Sequence, residues 1–351
     1  MSTPIPASMP ATGSTIDHPA GNPAGAEAHH SLPTVWFDRP AGALQHELLE
    51  GRAEIIDARG DDPLEGIERA HGAIVGAAVR YDRDVYRRTP LLRVIARAGI
   101  GYDNLDLDDA TEYGIAACNT PDGPTTSTAE HAVALIYAVT KGLKESAQRL
   151  RAGEGDYWAR HGHLELHGST LALLGLGRIG GRVAQTMSAG GMEIVAYDPY
   201  ADEARFAELD ARRAATPSEA VAEAQVVSVH APLSEATRHL VNADLLAAMR
   251  DGVYVVNTSR GGLVDHDALL AALQEGKVRG AGLDVTEPEP LAGDHPLVNR
   301  DDVIVTPHVA SATVAGRRRI FTHAVEEVMT ALSGGRPANM LNPEAWPGRN
   351  A

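Results

Sequence analysis

Gly175-Leu176-Gly177-Arg178-Ile179-Gly180 stands directly after the apolar run Leu171-Ala172-Leu173-Leu174. Directly after it comes a helical pattern with Ile179, Val183, Ala184 and Met187 on one side. A glycine fingerprint in that strand–turn–helix setting commits the region to a βαβ unit whose backbone closes on a dinucleotide. Gly175 makes the tight turn, Gly177 lets the backbone approach the pyrophosphate, and Gly180 lets helix and strand pack closely. Arg178 and Ile179 open the helix, whose free N–H groups and positive dipole end suit phosphates. The next strand pattern, Glu193-Ile194-Val195-Ala196-Tyr197, delivers Asp198 eighteen residues past Gly180. That is where a carboxylate for the ribose hydroxyls is expected. It repels a 2′-phosphate, so NAD is expected over NADP.

The alternation recurs along the chain. Val35-Trp36-Phe37, Glu54-Ile55-Ile56, Ala73-Ile74-Val75, Arg93-Val94-Ile95-Ala96 and Ile115-Ala116-Ala117-Cys118 read as strands before the fingerprint. The runs 171–176, 193–198, 226–231, 253–258, 280–285 and 302–307 form a second series. Helical patterns lie between strands, as at 41–51 and 83–89. A long one begins near Thr128, and another spans 312–333. Such alternation predicts parallel sheets with helices on both faces. Two doubly wound units result, and the stretch after His308, with no further strand to add, is expected to return to the first. Aromatic residues are only 4%, so the cores must be built from Val, Leu, Ile and Ala.

Charge and cysteine content exclude several classes. The net charge of −16 argues against nucleic acid as a partner. The single cysteine, Cys118, excludes an internal disulfide framework, and no Cys/His spacing suits zinc, so no metal is expected. No apolar run reaches the roughly eighteen residues of a membrane span. Residues 1–32 are rich in Pro, Ala, Gly, Ser and Thr without an apolar signal core, and read as a disordered tail. A cytoplasmic location is the default expectation.

Three residues far apart in the chain follow strand runs and read as one site: Arg260 after 253–259, Glu289 after Gly282-Leu283-Asp284-Val285, and His308 after Val303-Ile304-Val305-Thr306-Pro307. Open α/β sheets bind ligands beyond the carboxyl ends of their strands. A cation, a carboxylate and an imidazole placed there can hold a carboxylate substrate and move a proton.

Several motifs in order carry a resemblance. They are Ala96-Arg97-Ala98-Gly99-Ile100-Gly101-Tyr102-Asp103-Asn104, Ser127-Thr128-Ala129-Glu130-His131, the glycine fingerprint, and Val229-His230-Ala231-Pro232-Leu233. Asn257-Thr258-Ser259-Arg260-Gly261-Gly262, Gly282 to Pro290 and Thr306-Pro307-His308-Val309-Ala310 follow. From about residue 70 to about 335 the chain resembles the NAD-dependent D-isomer-specific 2-hydroxyacid dehydrogenases, with members such as phosphoglycerate dehydrogenase and hydroxypyruvate reductase. The resemblance implies an α/β fold of two doubly wound parallel-sheet domains. A Rossmann dinucleotide-binding domain (126–308) is inserted into a flavodoxin-like substrate domain (33–125 and 309–340), with 341–351 a tail. It implies a hydride moved between NAD(H) and a small 2-oxo acid or D-2-hydroxy acid. His308 resembles the general acid/base, Glu289 its partner five residues after Asp284, and Arg260 the carboxylate-binding cation. Glu287 is the control, expected to matter little. Arg97, Gly99 and Ile100 would complete the substrate site. Asp284 would meet the nicotinamide amide, with Ala231, Thr258 and Ser259 at strand ends lining the cofactor. A homodimer is implied, with the helix from Thr128 and the loop around Trp158 at its interface.

Departures narrow the substrate. Members acting on 3-phosphoglycerate carry an arginine where this chain has Gly76, which disfavours a phosphorylated substrate, although Arg80 and Arg97 are near in sequence. Formate dehydrogenases have glutamine in place of Glu289, and a phosphite-oxidising relative has lysine in place of Ile100. Two alternatives remain at this stage: an NAD-sensing corepressor-like binding protein, and reduction of an imine derived from a 2-oxo acid.

Overall fold

The computed structural model describes residues 31–346. Most of the expected N-terminal tail, and residues 347–351, lie outside the described residues. The first series of apolar runs pairs into one parallel sheet. Its strands are β1 (Thr34–Phe37), β2 (Glu54–Asp57), β3 (Gly72–Val75), β4 (Val94–Arg97) and β5 (Ala116–Cys118), in the order β2-β1-β3-β4-β5. The connections hold α1 (Ala43–Leu49), α2 (Arg83–Tyr86) and α3 (Leu107–Glu112). This is the flavodoxin-like strand order.

The chain then leaves through α4 (Thr125–Thr140), α5 (Leu143–Ala152) and α6 (Tyr157–Arg160). The second sheet comprises β6 (Thr170–Leu174), β7 (Glu193–Tyr197), β8 (Ala211–Arg213), β9 (Val226–Val229), β10 (Val253–Asn257), β11 (Val278–Leu283) and β12 (Val303–Val305). Its order is β12-β11-β10-β9-β6-β7-β8, parallel throughout, with the Rossmann reversal between β6 and β9. Its helices are α7 (Arg178–Ala189), α8 (Glu203–Glu208), α9 (Pro217–Val221), α10 (Ala243–Ala248), α11 (His266–Gln274) and α12 (Pro296–Asn299). Finally α13 (Val314–Leu332) packs back on β3 and β4 of the first sheet. It sits so near that a Cβ on Gly72 would lie 2.6 Å from Val328.

Local chemistry explains the elements. Strands covered on both faces must be apolar throughout, and β9 and β10 are buried at every position. Helix starts carry acceptors: Asp82, Asp106, Asp202, Thr216, Asn242, Asp265 and Thr313 each take a first-turn N–H. The exception that matters is α7, whose N-cap is Gly177, with no side-chain cap.

Two elements differ from expectation. β8 carries Arg212 and Arg213 exposed on an edge, so it lacks any apolar signal and exists through its pairing with β7. Residues 341–346, read as part of a tail, are tied to the first sheet. Leu341 N donates to Ala117 O at 2.7 Å, and buried Asn342 accepts from Ala117 N at 2.8 Å. They cover the free edge of β5, where unpaired backbone groups would otherwise remain.

Candidate active site

The fingerprint folds as a cradle. Gly175 has φ +110°, and a Cβ on it would lie 2.6 Å from His230 O. A Cβ on Gly180 would lie 2.3 Å from Gly175 O, so helix and turn meet through glycine alone. Above Gly177 a Cβ would meet nothing within 4 Å. Open space over an uncapped helix start is what a pyrophosphate requires. Asp198 holds the loop: Oδ2 accepts from Leu176 N at 2.8 Å and Oδ1 from Tyr200 N at 2.9 Å. Arg205 of α8 steadies the same loop, reaching Leu176 O at 3.3 Å and Gly177 O at 3.2 Å. Arg178 reaches across to Asp122 at 3.0 Å. At the end of β10 the Thr258 hydroxyl is buried without a partner among the described residues, while Ser259 Oγ donates to Val229 O. Ala231 follows β9 on the same rim. These residues fit a dinucleotide.

Beyond β11 and β12 lies the proton-handling pair. His308 Nδ1 is 2.5 Å from Glu289 Oε1, both side chains about a third exposed at 30% and 38%. Partial burial pushes the Glu289 carboxyl up, but the hydrogen bond and charge of His308 outweigh it and hold it below the usual carboxylate range. An ionised carboxylate only accepts, so Nδ1 carries the hydrogen and Nε2 is left for a substrate.

His308 has φ +54°, a left-handed conformation that a non-glycine residue adopts only when held. Asp284 is what holds it. Its backbone O accepts from His308 N at 2.7 Å, Oδ1 from Val309 N at 2.9 Å and Oδ2 from Ala310 N at 2.9 Å. Thr306 Oγ1 adds a bond to Oδ1 at 2.6 Å. This carboxylate, which the resemblance places against a nicotinamide amide, also braces the loop of His308. The side chain has no exposed surface, and its acceptors are engaged by the loop that carries His308.

Arg260 approaches from β10. Its Nε donates to Asp103 Oδ1 at 3.0 Å and Nη1 to Ser259 O at 2.8 Å. Nη2 lies over Gly101, where a Cβ would be 1.7 Å away. Its turn is shaped by buried Asn257, whose amide donates to Arg260 O at 2.8 Å and whose Oδ1 accepts from Ser259 N at 3.0 Å. A Cβ on Gly261 would lie 2.0 Å from Thr286 O, so the Arg260 turn packs directly on the Glu289 loop. On the other side Arg97 lies over Gly99, 8% exposed, with Nη1 donating to Ala98 O at 2.8 Å. Ile100 sits between these two glycines, its carbonyl accepting from Asn119 Nδ2 at 2.7 Å. Arg80 turns elsewhere, to Asp106 at 3.3 Å.

Two contributors escaped sequence reasoning. Asp103 anchors Arg260 from a position 157 residues away. His131 of α4 lies 3.1 Å from Thr306 Oγ1 and 3.4 Å from Asp284 Oδ1, bracing the His308 loop. Its signal was the helical spacing that puts Ser127 and His131 on one face; Ser127 contacts Thr313 at 2.8 Å. Glu287, expected to be idle, accepts twice from Arg238 Nη2 at 3.0 Å and lies 3.6 Å from His239. Among the described residues no group of three or more His, Cys, Asp or Glu side chains is arranged for a metal, and no helix is long and apolar enough to cross a membrane.

Comparison with known proteins adds independent findings. Residues 133–310 match the family described as D-isomer specific 2-hydroxyacid dehydrogenase, NAD binding domain. A D-3-phosphoglycerate dehydrogenase of Methanocaldococcus jannaschii is 36% identical over 299 residues, 84% of this chain and 57% of that one. The chain spans little more than half the length of the phosphoglycerate dehydrogenases it matches. A hydroxypyruvate reductase of Thermotoga maritima is 36% identical over 82% of this chain and 93% of its own length. The crystal structure of an Aquifex aeolicus D-lactate dehydrogenase, complexed with NAD and lactic acid, superposes with a TM-score of 0.79. It is 29% identical, covering 88% of this chain and 99% of that one.

Proposed function

The chain belongs to the D-isomer-specific 2-hydroxyacid dehydrogenase family, and from that premise we propose that it interconverts a small 2-oxo acid and the D-2-hydroxy acid. NADH, when bound in the cradle of Gly175, Gly177, Arg178, Ile179 and Gly180, supplies the hydride. His308 gives a proton from Nε2 to the carbonyl oxygen in reduction and takes it back in oxidation, a task suited to imidazole. Glu289 keeps the ring oriented and favours its charged form. Arg260 binds the substrate carboxylate through Nη2, beside the backbone of Gly99, Ile100 and Gly101; a planar guanidinium suits that group. The observation that carries the reading is the juxtaposition of the hydrogen-bonded Glu289–His308 pair with the Arg260 turn, joined through Gly261 and Thr286.

The test is NADH oxidation with a panel of 2-oxo acids, their esters and simple ketones, with and without ammonia. Acids should turn over without ammonia, esters and ketones should not, and the product should be the D enantiomer. Arg260→Lys should be poor, because an ammonium lacks the planar fork. Efficient reduction of a ketone without a carboxylate, or an L product, would overturn the assignment.

The proposal extends to a homodimer. Trp158 is 94% exposed and Leu150 66%, with Leu143, Tyr157 and Tyr137 also exposed, all between α4 and α6. Exposed apolar groups concentrated in one segment mark an interaction surface.

A further inference from the structure

The backbone beside Arg260 is turned by groups that lie outside the site. Two carbonyls of the loop after β4 are tied down by the residues that follow β5. Gly99 O accepts from Thr120 N at 2.9 Å, and Ile100 O accepts from Asn119 Nδ2 at 2.7 Å. A trans peptide points its N–H opposite to the C=O of the same unit. With both carbonyls drawn toward the end of β5, the N–H groups of Ile100 and Gly101 face the other way. Neither has an acceptor among the described residues. Arg260 Nη2 lies over Gly101, where a Cβ would be 1.7 Å away. Two backbone donors and a guanidinium therefore stand together, and the Asn119 amide sets the orientation of one of the two peptides.

Asn119 is itself held. It is 7% exposed, and its N–H donates to Asn339 O at 3.3 Å. Asn339 lies on the stretch after α13, and Glu327 of α13 grips it with both oxygens. Oε2 accepts from Asn339 N at 3.1 Å and Oε1 from Asn339 Nδ2 at 2.7 Å. Glu327 is 6% exposed. A buried carboxylate is costly unless its oxygens are hydrogen-bonded, and this one gives both of them to a single residue. The stretch then runs antiparallel along β5, with Met340 bridged to Cys118 and Leu341 N on Ala117 O. A continuous series of bonds leads from α13 through Asn339 and Asn119 to Ile100.

We propose that Asn119 is a positioning residue for the substrate. Anchored through Asn339 by Glu327, its amide turns the Ile100–Gly101 peptide so that the Gly101 N–H joins Arg260 on the substrate carboxylate. This rests on the dehydrogenase reading for the identity of that carboxylate. A strap that only sealed the edge of β5 would affect stability and leave substrate affinity alone.

The experiment measures kcat and KM for a panel of 2-oxo acids in the wild type, Asn119→Ala and Asn339→Ala, with NADH binding followed separately by fluorescence titration. Asn119→Ala leaves Ile100 O without its donor and frees the peptide to rotate. KM for the acid should rise about tenfold, while NADH affinity stays that of the wild type. Asn339→Ala keeps the Asn119 amide and loosens its anchor, so KM should rise in the same direction by less. A second readout is free of turnover: oxamate, a carboxylate analogue of a 2-oxo acid, should raise the melting temperature of the NADH-loaded wild type, and raise it less in both variants. An unmoved KM in a folded Asn119→Ala, with only kcat or melting temperature lowered, overturns the proposal and leaves the dehydrogenase. An unmoved KM in Asn339→Ala removes Asn339 and Glu327 from the assignment, and where Asn119→Ala does not fold it overturns the whole of it. A wild type that reduces no 2-oxo acid removes the dehydrogenase reading, and the oxamate shift then decides alone. A shift present in the wild type and diminished in the variants keeps the positioning role; a shift absent, or equal in all three, removes it.

Discussion

His308 keeps one ring nitrogen on Glu289 and offers the other, and that division makes the two residues separable by experiment. His308→Ala removes the proton donor but none of the cradle residues. It should lose about 10²–10⁴-fold in turnover, the usual contribution of a positioned acid/base, while NADH binding, read by fluorescence titration, persists. Near wild-type turnover would take His308 out of the mechanism. Glu289→Gln keeps the shape and removes the charge. The carboxylate is held below its usual range and so is ionised across the neutral region, favouring a protonated ring beside it. Reduction needs that protonated ring. Without the carboxylate's charge the ring gives up its proton more readily, so the alkaline limb of the reduction profile should move to lower pH. A pH–kcat/KM profile with an unmoved limb would reduce Glu289 to a structural role.

At the scale of elements, the loop after β11 contains two glutamates with different duties. Glu287 ties it to the turn of Arg238 and His239 in a pair about half exposed. Exposed pairs contribute about 0–1 kcal/mol, so Glu287→Gln should cost only a few-fold in kcat/KM and leave the pH limb unmoved. A limb that moved as in Glu289→Gln would mean the two carboxylates act together. The loop after β7 takes its shape from Asp198, to which three backbone N–H groups bond, and the proposed reading gives the same carboxylate the choice of cofactor. Asp198→Ala should raise the NADPH/NADH ratio of kcat/KM and also weaken NADH binding; a wild type that used both cofactors equally would contradict the first part. Legibility follows the same physics. Parallel strands buried on both faces spell continuous apolar runs, so nearly all of them are readable, whereas β8 is an exposed edge spelled Ala-Arg-Arg. Arg260, Glu289 and His308 were readable because each follows such a run. Asp103 and His131 were not, because topology alone brings them to Arg260 and Thr306 across 157 and 175 residues.

For the whole molecule, the two sheets are joined by two passages of chain, before α4 and before α13, and these are pinned to each other. Ser127 meets Thr313, and Arg319 Nε donates to Gly123 O at 3.2 Å. A Cβ on Gly123 would lie 2.8 Å from Ile320, so α13 crosses the first passage at close quarters. Arg260 and Asp103 add an ion pair between the two lobes at 3.0 Å. The segment from α4 to α6 carries the most exposed large apolar side chains of the nucleotide lobe besides Tyr200. A monomer would leave Trp158 and Leu150 in water. A twofold partner would cover them, and a stable isologous interface needs about 1,000 Å² or more. The protein should therefore sediment at about twice its 37.0 kDa chain mass. Trp158→Asp should shift it to the monomer or weaken association by at least tenfold, since buried aromatic anchors dominate interfaces. The variant should keep its far-ultraviolet circular dichroism, because a residue 94% exposed holds nothing inside the chain. Sedimentation of the wild type as a monomer at micromolar concentration, or a Trp158→Asp protein as dimeric as its parent, would remove this segment as the interface.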